Sequence, residues 1–532
     1  MNSSSALPED LQSAHEVITN QFEVISTQAT RITELESQVK WFKKQIFGPK
    51  TEQRRDDSVL PIFGTQSCLG ESVNTESLKP KTQESPVPAE HKKDKSSVKK
   101  RALIDDCGES GLRFDSTVPV KEIVLPCAEI EGLKEYEYEV IGEKITERLA
   151  VLPKTHMVLR YRRPVVKIKE TQKIVTVPAP ASVIEGSYTD VSLLVWILIE
   201  KFLYHQPLYR LHQKIEAQGI LLSRTTLTNL VHQCGDLLEP VYKALVCLVV
   251  AGKVLAMDET RLKVKLKDKK GLKFTYFWPV YGDNDEVIFP WSTSRGSQVI
   301  HEVLGEDFKG VLLTDGYSAY DKYAAKVSEL THANCWTHVR REFIEAEELE
   351  PEAAKKAIAF IRILYENEDE IRKSGLEGKD KHEYRTQHSK PVVDEFFAWL
   401  KATQRSNALL PSNEFGKAAT YALSREAALR VFLSDPEVPI DTNHLERTLR
   451  VIPMGRKNWL FCMTEVGAKY VGIFQSLIVT CKLQGVNPYE YLVDVLQRIK
   501  TVTNQDDISL LTPRLWKEHY AQGRLRSDIE EA

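Results

Sequence analysis

Two short apolar runs that each stop on an aspartate limit what this chain can become. The stretch KVLAMDETRLKV (residues 253–264) opens with Val254 to Met257, suited to a buried strand, and the run ends on Asp258. GVLLTDGYSAY (residues 310–320) has the same build and ends on Asp315. An acid at the end of a buried strand is costly unless a lysine, an arginine or a metal ion pairs with it. A single such acid can be a turn cap or the partner of a surface arginine, since charged residues are mostly exposed. Two on like strands raise the question of a third.

Between the two runs the pattern is regular. RLKVKLKDKKGLKFTYFWPVYG reads as a hairpin turning at DKKG, DEVIFPWSTSR as a third strand and GSQVIHEVLG as a helix. GVLLTD and SELTHANCW supply two more strands. Three strands, a helix and two further strands are what a ribonuclease-H-like mixed sheet requires, with two aspartates at neighbouring strand ends. Candidates for the third acid lie in IDTNHLERTLRVIPMGRKNWLF (residues 440–461): Asp441 can N-cap a helix on which Glu446 sits more than a turn in. A carboxylate reaching the sheet from such a helix completes an oxygen-rich site for two Mg²⁺ ions, which need few protein ligands. On a continuing strand Glu259 faces away from Asp258 and is left out of the site.

Basic residues crowd these blocks. Lys263, Lys265 and Lys267 alternate along one strand face, where they either meet DNA or guard an edge against aggregation. Arg447, Arg450, Arg456 and Lys457 flank Glu446, and neutralised phosphates would make binding salt-dependent. Trp459 and Phe461 suit core packing better than stacking on a flipped base. Cys335 and His338 form a C-x-x-H pair, too few ligands for a structural zinc, which takes four. Arg340 and Arg341 can touch phosphate or pair with the acids at 345–350.

A chain of 532 residues exceeds one core, so several domains are expected. Residues 1–50 carry Ile18, Ile25, Ile32, Val39 and Ile46 at seven-residue spacing, with Leu35 and Phe42 on the second seam. That is a coiled coil suited to a homodimer or higher oligomer, its early heptads weakened by Gln21 and Gln28. Residues 51–101 are rich in Ser, Thr, Pro, Gln and Lys and read as a disordered linker. Residues 102–185 form a small β-rich domain whose YRRPVVKIKETQK stretch is either a DNA-contacting module or a sheet with one solvated face. Residues 186–250 are helical. PLYRLHQKIEAQ, a break at GILLS and RTTLTNLVHQCGDLL fit a helix-turn-helix, placing Arg224, Thr225, Thr226 and Asn229 on a DNA-reading end, or else a plain core hairpin. The catalytic core occupies 251–334 and 436–505, interrupted by a helical insertion over 335–435, with a C-terminal element at 506–532. The chain is therefore read as multidomain α/β. No apolar run approaches the ~18 residues of a membrane span, and no secretory signal opens the sequence, so a cytoplasmic protein is expected. Eight cysteines without a Cys-x-x-Cys pair argue against a disulfide framework or zinc ribbon. The net charge of −3 opposes whole-surface nucleic-acid binding while leaving local patches open.

AMDET, TDGYSAY, ANCWTHVRREF and DTNHLERTLRVIPMGRKNWLF, in this order and spacing, resemble the signature blocks of bacterial DDE transposases of the insertion sequence sixty-six family. WFKKQIFGPKTEQ resembles the end of that family's coiled coil, and LTPRLWKEHY its C-terminal element. The resemblance implies a DDE triad at Asp258, Asp315 and Glu446 holding Mg²⁺ or Mn²⁺. It also implies cleavage of element ends, transfer of 3′-hydroxyls to target DNA, and double-stranded DNA as the partner, at the terminal repeats and the target. Small accessory proteins and association with the nucleoid follow from it as well. Two departures stand out. Only Cys107 and Cys127 remain where the family often carries Cys-x-x-Cys pairs, so the β-rich domain reads as a degenerate zinc finger and no structural zinc is expected; and Thr442 replaces the usual asparagine. Two other readings are a catalytically silent, transposase-derived DNA-binding protein and an unrelated two-carboxylate hydrolase such as a glycosidase. The basic surroundings oppose the second.

Overall fold

The computed structural model describes residues 19, 21–22, 24–28 and 31, and residues 112–531 apart from 113, 115, 117, 128–129, 131–133, 135–136, 153–154, 406–412 and 504. The chain divides into two units, residues 1–100 and 101–532. In the first, the described residues are helical and exposed. The rest of the expected coiled coil, and the linker over 51–101, lie outside the described residues.

The second unit begins with a four-stranded sheet. Strand β3 (Thr155–Ile168) runs antiparallel to β2 (Tyr138–Leu152), with β1 (Val120–Val124) parallel and β4 (Ile174–Thr176) antiparallel on its other side. Its arginines are spoken for inside the sheet. Arg160 pairs with Glu147 at 3.0 Å, and Arg162 with Glu143 at 2.9 Å and Glu122 at 3.1 Å. Arg163 donates to the Val177 carbonyl at 3.0 Å and to the Thr146 hydroxyl at 2.6 Å. Helix α1 (Val191–Leu198), capped by Asp190 and prolonged by a π-helical turn to Leu203, leads to α2 (Leu208–Glu216) and α3 (Arg224–Val250). The α2–α3 turn contains Gly219 at φ +85°, a conformation natural to glycine. The first turn of α3 is exposed at Arg224 and Thr225. The remainder of its 27 residues runs through the core.

Next come β5 (Val254–Met257), β6 (Thr260–Lys265), β7 (Leu272–Phe277), β8 (Val280–Tyr281), β9 (Val287–Ile288), β10 (Trp291–Ser292), α4 (Gln298–Leu304), β11 (Gly310–Thr314), α5 (Ser318–Ala324) and β12 (Leu330–Asn334). The hairpin does not stay in one sheet, as the sequence pattern suggests. It breaks at 258–259 and 278–279: β5 and β8 join a five-stranded sheet, β12-β11-β5-β8-β9, while β6 and β7 peel away with β10 as a ribbon. In the five-stranded sheet β5, β11 and β12 are parallel, and β8 and β9 continue it antiparallel.

A run of helices separates β12 from the third acidic block: α6 (Trp336–Ala346), α7 (Pro351–Ser374), α8 (Gly378–Tyr384), α9 (Lys390–Arg405), α10 (Glu414–Leu423), α11 (Glu426–Leu429) and α12 (Val431–Ser434). Aromatic contacts among Trp336, Phe343, Phe396, Phe397 and Phe415 fill its centre. Then follow α13 (Asn443–Leu449), α14 (Val451–Trp459), α15 (Glu465–Leu483), α16 (Pro488–Arg498), α17 (Pro513–His519) and α18 (Asp528–Glu531). Helix α15 covers the β9 edge. Ser476 and Thr480, one turn apart, accept the amide N–H groups of Phe289 at 2.9 Å and Val287 at 3.1 Å, so an open strand edge is satisfied by helix side chains. Gly472 allows this approach, since a Cβ there would lie 2.4 Å from the Phe289 carbonyl oxygen. Among the described residues no helix is long and apolar enough to cross a membrane.

Candidate active site

Register brings the two strand-terminal aspartates together. Leu313 of β11 pairs with Ala256 of β5, so two residues further on Asp315 and Asp258 leave adjacent parallel strands at the same level. Neighbouring strands lie about 4.8 Å apart. Asp258 is anchored by its own amide to the Pro279 carbonyl at 3.3 Å, and its Oδ1 accepts the Glu259 amide at 2.7 Å. The Asp315 carboxylate accepts the Tyr317 amide at 2.9 Å, and its carbonyl accepts from Asn334 at 3.0 Å and Thr314 at 2.9 Å. Gly316 follows because the insertion packs directly on it. A Cβ there would meet Tyr421 and Arg425 at about 2.5 Å, and Arg425 donates to the Gly316 carbonyl at 2.9 Å.

The charge is uncompensated. Burial pushes the Asp258 carboxyl up to about 7, with the negative charges of Glu259 and Asp315 adding to the effect. The alternation rule sets Glu259 aside; in the structure it is buried close enough to Asp258 and Asp315 for the charges to act on one another. Strand β5 ends at Met257 and β6 begins at Thr260, so residues 258–259 lie between strands. Glu259 accepts from Arg295 at 2.6 and 3.0 Å and from the Tyr320 hydroxyl at 2.9 Å. Burial raises its pKa, the Asp315 charge adds to this, and the bonds from Arg295 and Tyr320 oppose it. Its carboxylate is satisfied by these partners. A break in a strand leaves no mark in an apolar-polar pattern, so the sequence offers no signal for it.

The third block docks at the start of α6. Trp336 donates its amide to the Ile440 carbonyl at 3.1 Å, and the amide and hydroxyl of Thr442 both donate to the Cys335 sulfur at 3.3 Å. Thr442, where the family's asparagine stands, is thus a buried anchor, and burial pushes the Cys335 thiol up to about 11. The helix cap falls on Thr442 rather than Asp441, which puts Glu446 in the first turn of α13. Asp441 nevertheless accepts the Asn443 amide at 2.9 Å, with Thr337 and the Asn443 side chain on its other oxygen. Its carboxylate is consumed by packing. Glu446 is different: one oxygen is buried without a hydrogen-bond partner, 3.8 Å from His338 Nε2, and the other lies 3.6 Å from Arg341. His338 also acts on Asp258, favouring its charged form. The C-x-x-H residues part company, one buried for packing and one facing the acids.

The remaining candidates are scattered. Arg341 pairs with Glu446 at 3.6 Å. Arg340 is half-buried on α6, Arg447 and Arg450 are exposed on and after α13, and Lys457 is exposed on α14. Arg456 donates to the Arg261 carbonyl at 2.7 Å, tying α14 to β6. Trp459 packs back on Gly455 and lies under Lys201 at 5.5 Å, in keeping with a packing role. Arg224, Thr225 and Asn229 are exposed at the start of α3; Thr226 is engaged by the Ser223 cap, and Arg224 rests on the Tyr209 ring at 4.6 Å. Lys263, Lys265 and Lys267 are exposed on and beyond β6.

Hard carboxylate oxygens, an aspartate held against its own ionisation and an unpartnered Glu446 oxygen fit a divalent cation in donor chemistry. Among the described residues, however, no three His, Cys, Asp or Glu side chains converge closely enough to grip one ion. The fit rests on the aspartate pair, with Glu446 beside it.

Comparison with known proteins gives the same blocks a context. Residues 186–470 match the transposase IS66 family and residues 476–513 match the IS66 C-terminal element. Three proteins of Sinorhizobium fredii are similar, each called an uncharacterized protein. One, y4jD, is 31% identical over 71% of this chain and 76% of its own length. For y4hP the figures are 29%, 68% and 68%, and for y4qI 29%, 74% and 74%.

Proposed function

The chain belongs to the IS66 family of transposases, and on that premise we propose that it cuts the ends of its mobile element and joins the freed 3′-hydroxyls to target DNA. Transposase function and DNA binding come with the family; the assignment of chemistry to residues is our own. Asp258, Asp315 and Glu446 are the catalytic carboxylates. The observation that carries this is the register that sets Asp258 and Asp315 side by side at the ends of adjacent parallel strands. The strand order β12-β11-β5-β8-β9, antiparallel only at β8 and β9, supports a ribonuclease-H-like core split by the helical insertion.

DDE transposases generally use a divalent metal, and Asp258 with Asp315, joined by Glu446, would hold Mg²⁺ or Mn²⁺ here. Such an ion supplies the Lewis acidity that activates water or a 3′-hydroxyl and steadies the leaving oxygen. The residues do the rest. Asp258, which burial holds toward its protonated form, would serve as a ligand once ionised. Glu259, locked to Arg295 and Tyr320, keeps negative charge behind the pair and holds its geometry. His338 and Arg341 set Glu446 in place, and Arg341 brings positive charge to the phosphate side. Arg340, Arg447, Arg450 and Lys457 are phosphate contacts, and Arg224 to Asn229 the candidate reading end. Dimerisation through the N-terminal coiled coil and help from small accessory proteins complete the proposal.

Labelled duplexes carrying the element's ends, incubated with Mg²⁺, test it. Wild type should nick at the element boundary and Asp258→Ala should bind without cutting. Binding without cutting by both would leave the catalytically silent DNA-binding protein, and equal cutting by both would sink the triad.

A further inference from the structure

The β6–β7 ribbon grows directly out of the Asp258 strand and has an outer face that packing does not explain. Its cross-strand pairs set Arg261 beside Tyr276, Lys263 beside Phe274 and Lys265 beside Leu272. Each row is a cation next to an aromatic or apolar side chain, and Lys263 and Arg261 both lie 5.4 Å from the Phe274 ring. From Thr260 to Phe274 there are seven Lys or Arg and one Asp, a local charge of +6 in a chain of net charge −3. Among the described residues Lys263, Lys265 and Lys267 have no acidic side-chain partner.

These lysines are not edge guards, because the edge is already closed. The segment after α14 pairs with β6: Cys462 donates to the Lys263 carbonyl and accepts from the Lys265 amide, each at 3.0 Å. That pairing lays the segment carrying Leu460 and Met463 alongside β6. Leu460 has φ +63° and ψ −53°, and the Phe461 amide closes on the Trp459 carbonyl at 2.7 Å across it. This is a strained γ-turn on a residue that ordinarily avoids positive φ. It holds Leu460 64% exposed, with Met463 61% and Phe274 50% exposed nearby. Large apolar side chains presented to water on a lysine-rich surface are what DNA-bending proteins use to part a base step.

We propose that Phe274, Leu460 and Met463 form an apolar wedge that enters DNA between bases, while Lys263, Lys265 and Lys267 hold the flanking phosphates. The occupant is DNA because charge complementarity selects a polyanion and apolar tips select its base stack. Lys263 is five residues from Asp258, at most about 17 Å along an extended strand, or roughly five base pairs from the phosphate at the aspartates. This deepens the transposase reading and rests on it for the position of that phosphate.

The test is a duplex of the element's terminal sequence carrying 2-aminopurine at single positions around the cleavage site. Wild type should raise the fluorescence several-fold at one position about half a helical turn from the cut, reporting an unstacked base. Phe274→Ala with Leu460→Gly should abolish that rise while binding stays within a few-fold. Lys263→Ala with Lys265→Ala should weaken binding and lower the salt slope by about 0.9 for each phosphate no longer neutralised. Asp258→Ala should keep the full fluorescence rise, so the wedge can stand even if the catalytic assignment fails. No rise at any position, or a rise that survives in Phe274→Ala/Leu460→Gly, overturns the wedge. It is equally overturned if those variants leave DNA binding and stacking unchanged but lose association with another protein.

Discussion

Removing Arg295 tests whether Glu259 is a buried charge held ionised beside two other acids. The Glu259 side chain is 4% exposed and takes two bonds from Arg295, whose own side chain is half exposed. Breaking a fully buried pair by deleting one partner costs about 3–5 kcal/mol. Solvent screening of the exposed guanidinium brings the expected loss for Arg295→Met to about 2 kcal/mol. The loss must depend on pH, and its sign is fixed. Burial already raises the pKa of Glu259 in the folded protein, so the native state binds more protons than the unfolded chain and this group's contribution falls as pH rises. Taking away the guanidinium removes the main opposing influence, so the window widens upward. Urea unfolding followed by tryptophan fluorescence should show Arg295→Met close to wild type at about pH 5 and about 2 kcal/mol weaker at about pH 8. Adding Glu259→Gln should recover most of the loss, because a neutral amide needs no counter-charge. An equal loss at both pH values, with no recovery in the double variant, would refute the reasoning.

Further outcomes follow from the same geometry. Asp258→Asn should raise the stability of the metal-free protein at about pH 8 by about 2 kcal/mol, since it removes a buried charge beside Glu259 and Asp315, and Mn²⁺ should no longer shift its melting curve. In wild type, Mn²⁺ affinity by calorimetry should rise with pH and level off above about 7, as Asp258 must lose a proton to bind. Gly472→Ala should cost about 3 kcal/mol in denaturant unfolding, because its methyl lands 2.4 Å from a backbone oxygen that α15 pins in place. Arg385→Met should cost about 3–5 kcal/mol and speed hydrogen exchange over 432–441. That fully buried guanidinium is bidentate to Glu368 at 2.8 Å and holds the carbonyls of Phe432 and Val438 at 2.7 and 3.0 Å, in the segment leading to Glu446.

Short-range pattern carries the catalytic half of the chain. The apolar runs of β5 and β11 end where their aspartates begin, because an ionised residue cannot continue a strand buried on both faces. What distance in sequence conceals is less legible. That Arg341 faces Glu446 depends on how α6 and α13 dock, through Trp336–Ile440 and Thr442–Cys335 bonds that span a hundred residues. The split of the hairpin into sheet and ribbon, and the Tyr320 hydroxyl that meets Glu259 from 61 residues away, are not encoded in alternation. The basic stretch at Arg160 to Arg163 has the look of a DNA surface until its acidic partners on β1 and β2 come into register. Charge in sequence counts cations; only folding shows which of them are already paired.

The most direct test is anomalous scattering from crystals of the protein grown with Mn²⁺ and a duplex of the element end. Manganese density between the carboxylates of Asp258 and Asp315 is the predicted result, lost in crystals of Asp258→Asn. Manganese bound only elsewhere, in a protein that cuts DNA with Mn²⁺, would contradict it.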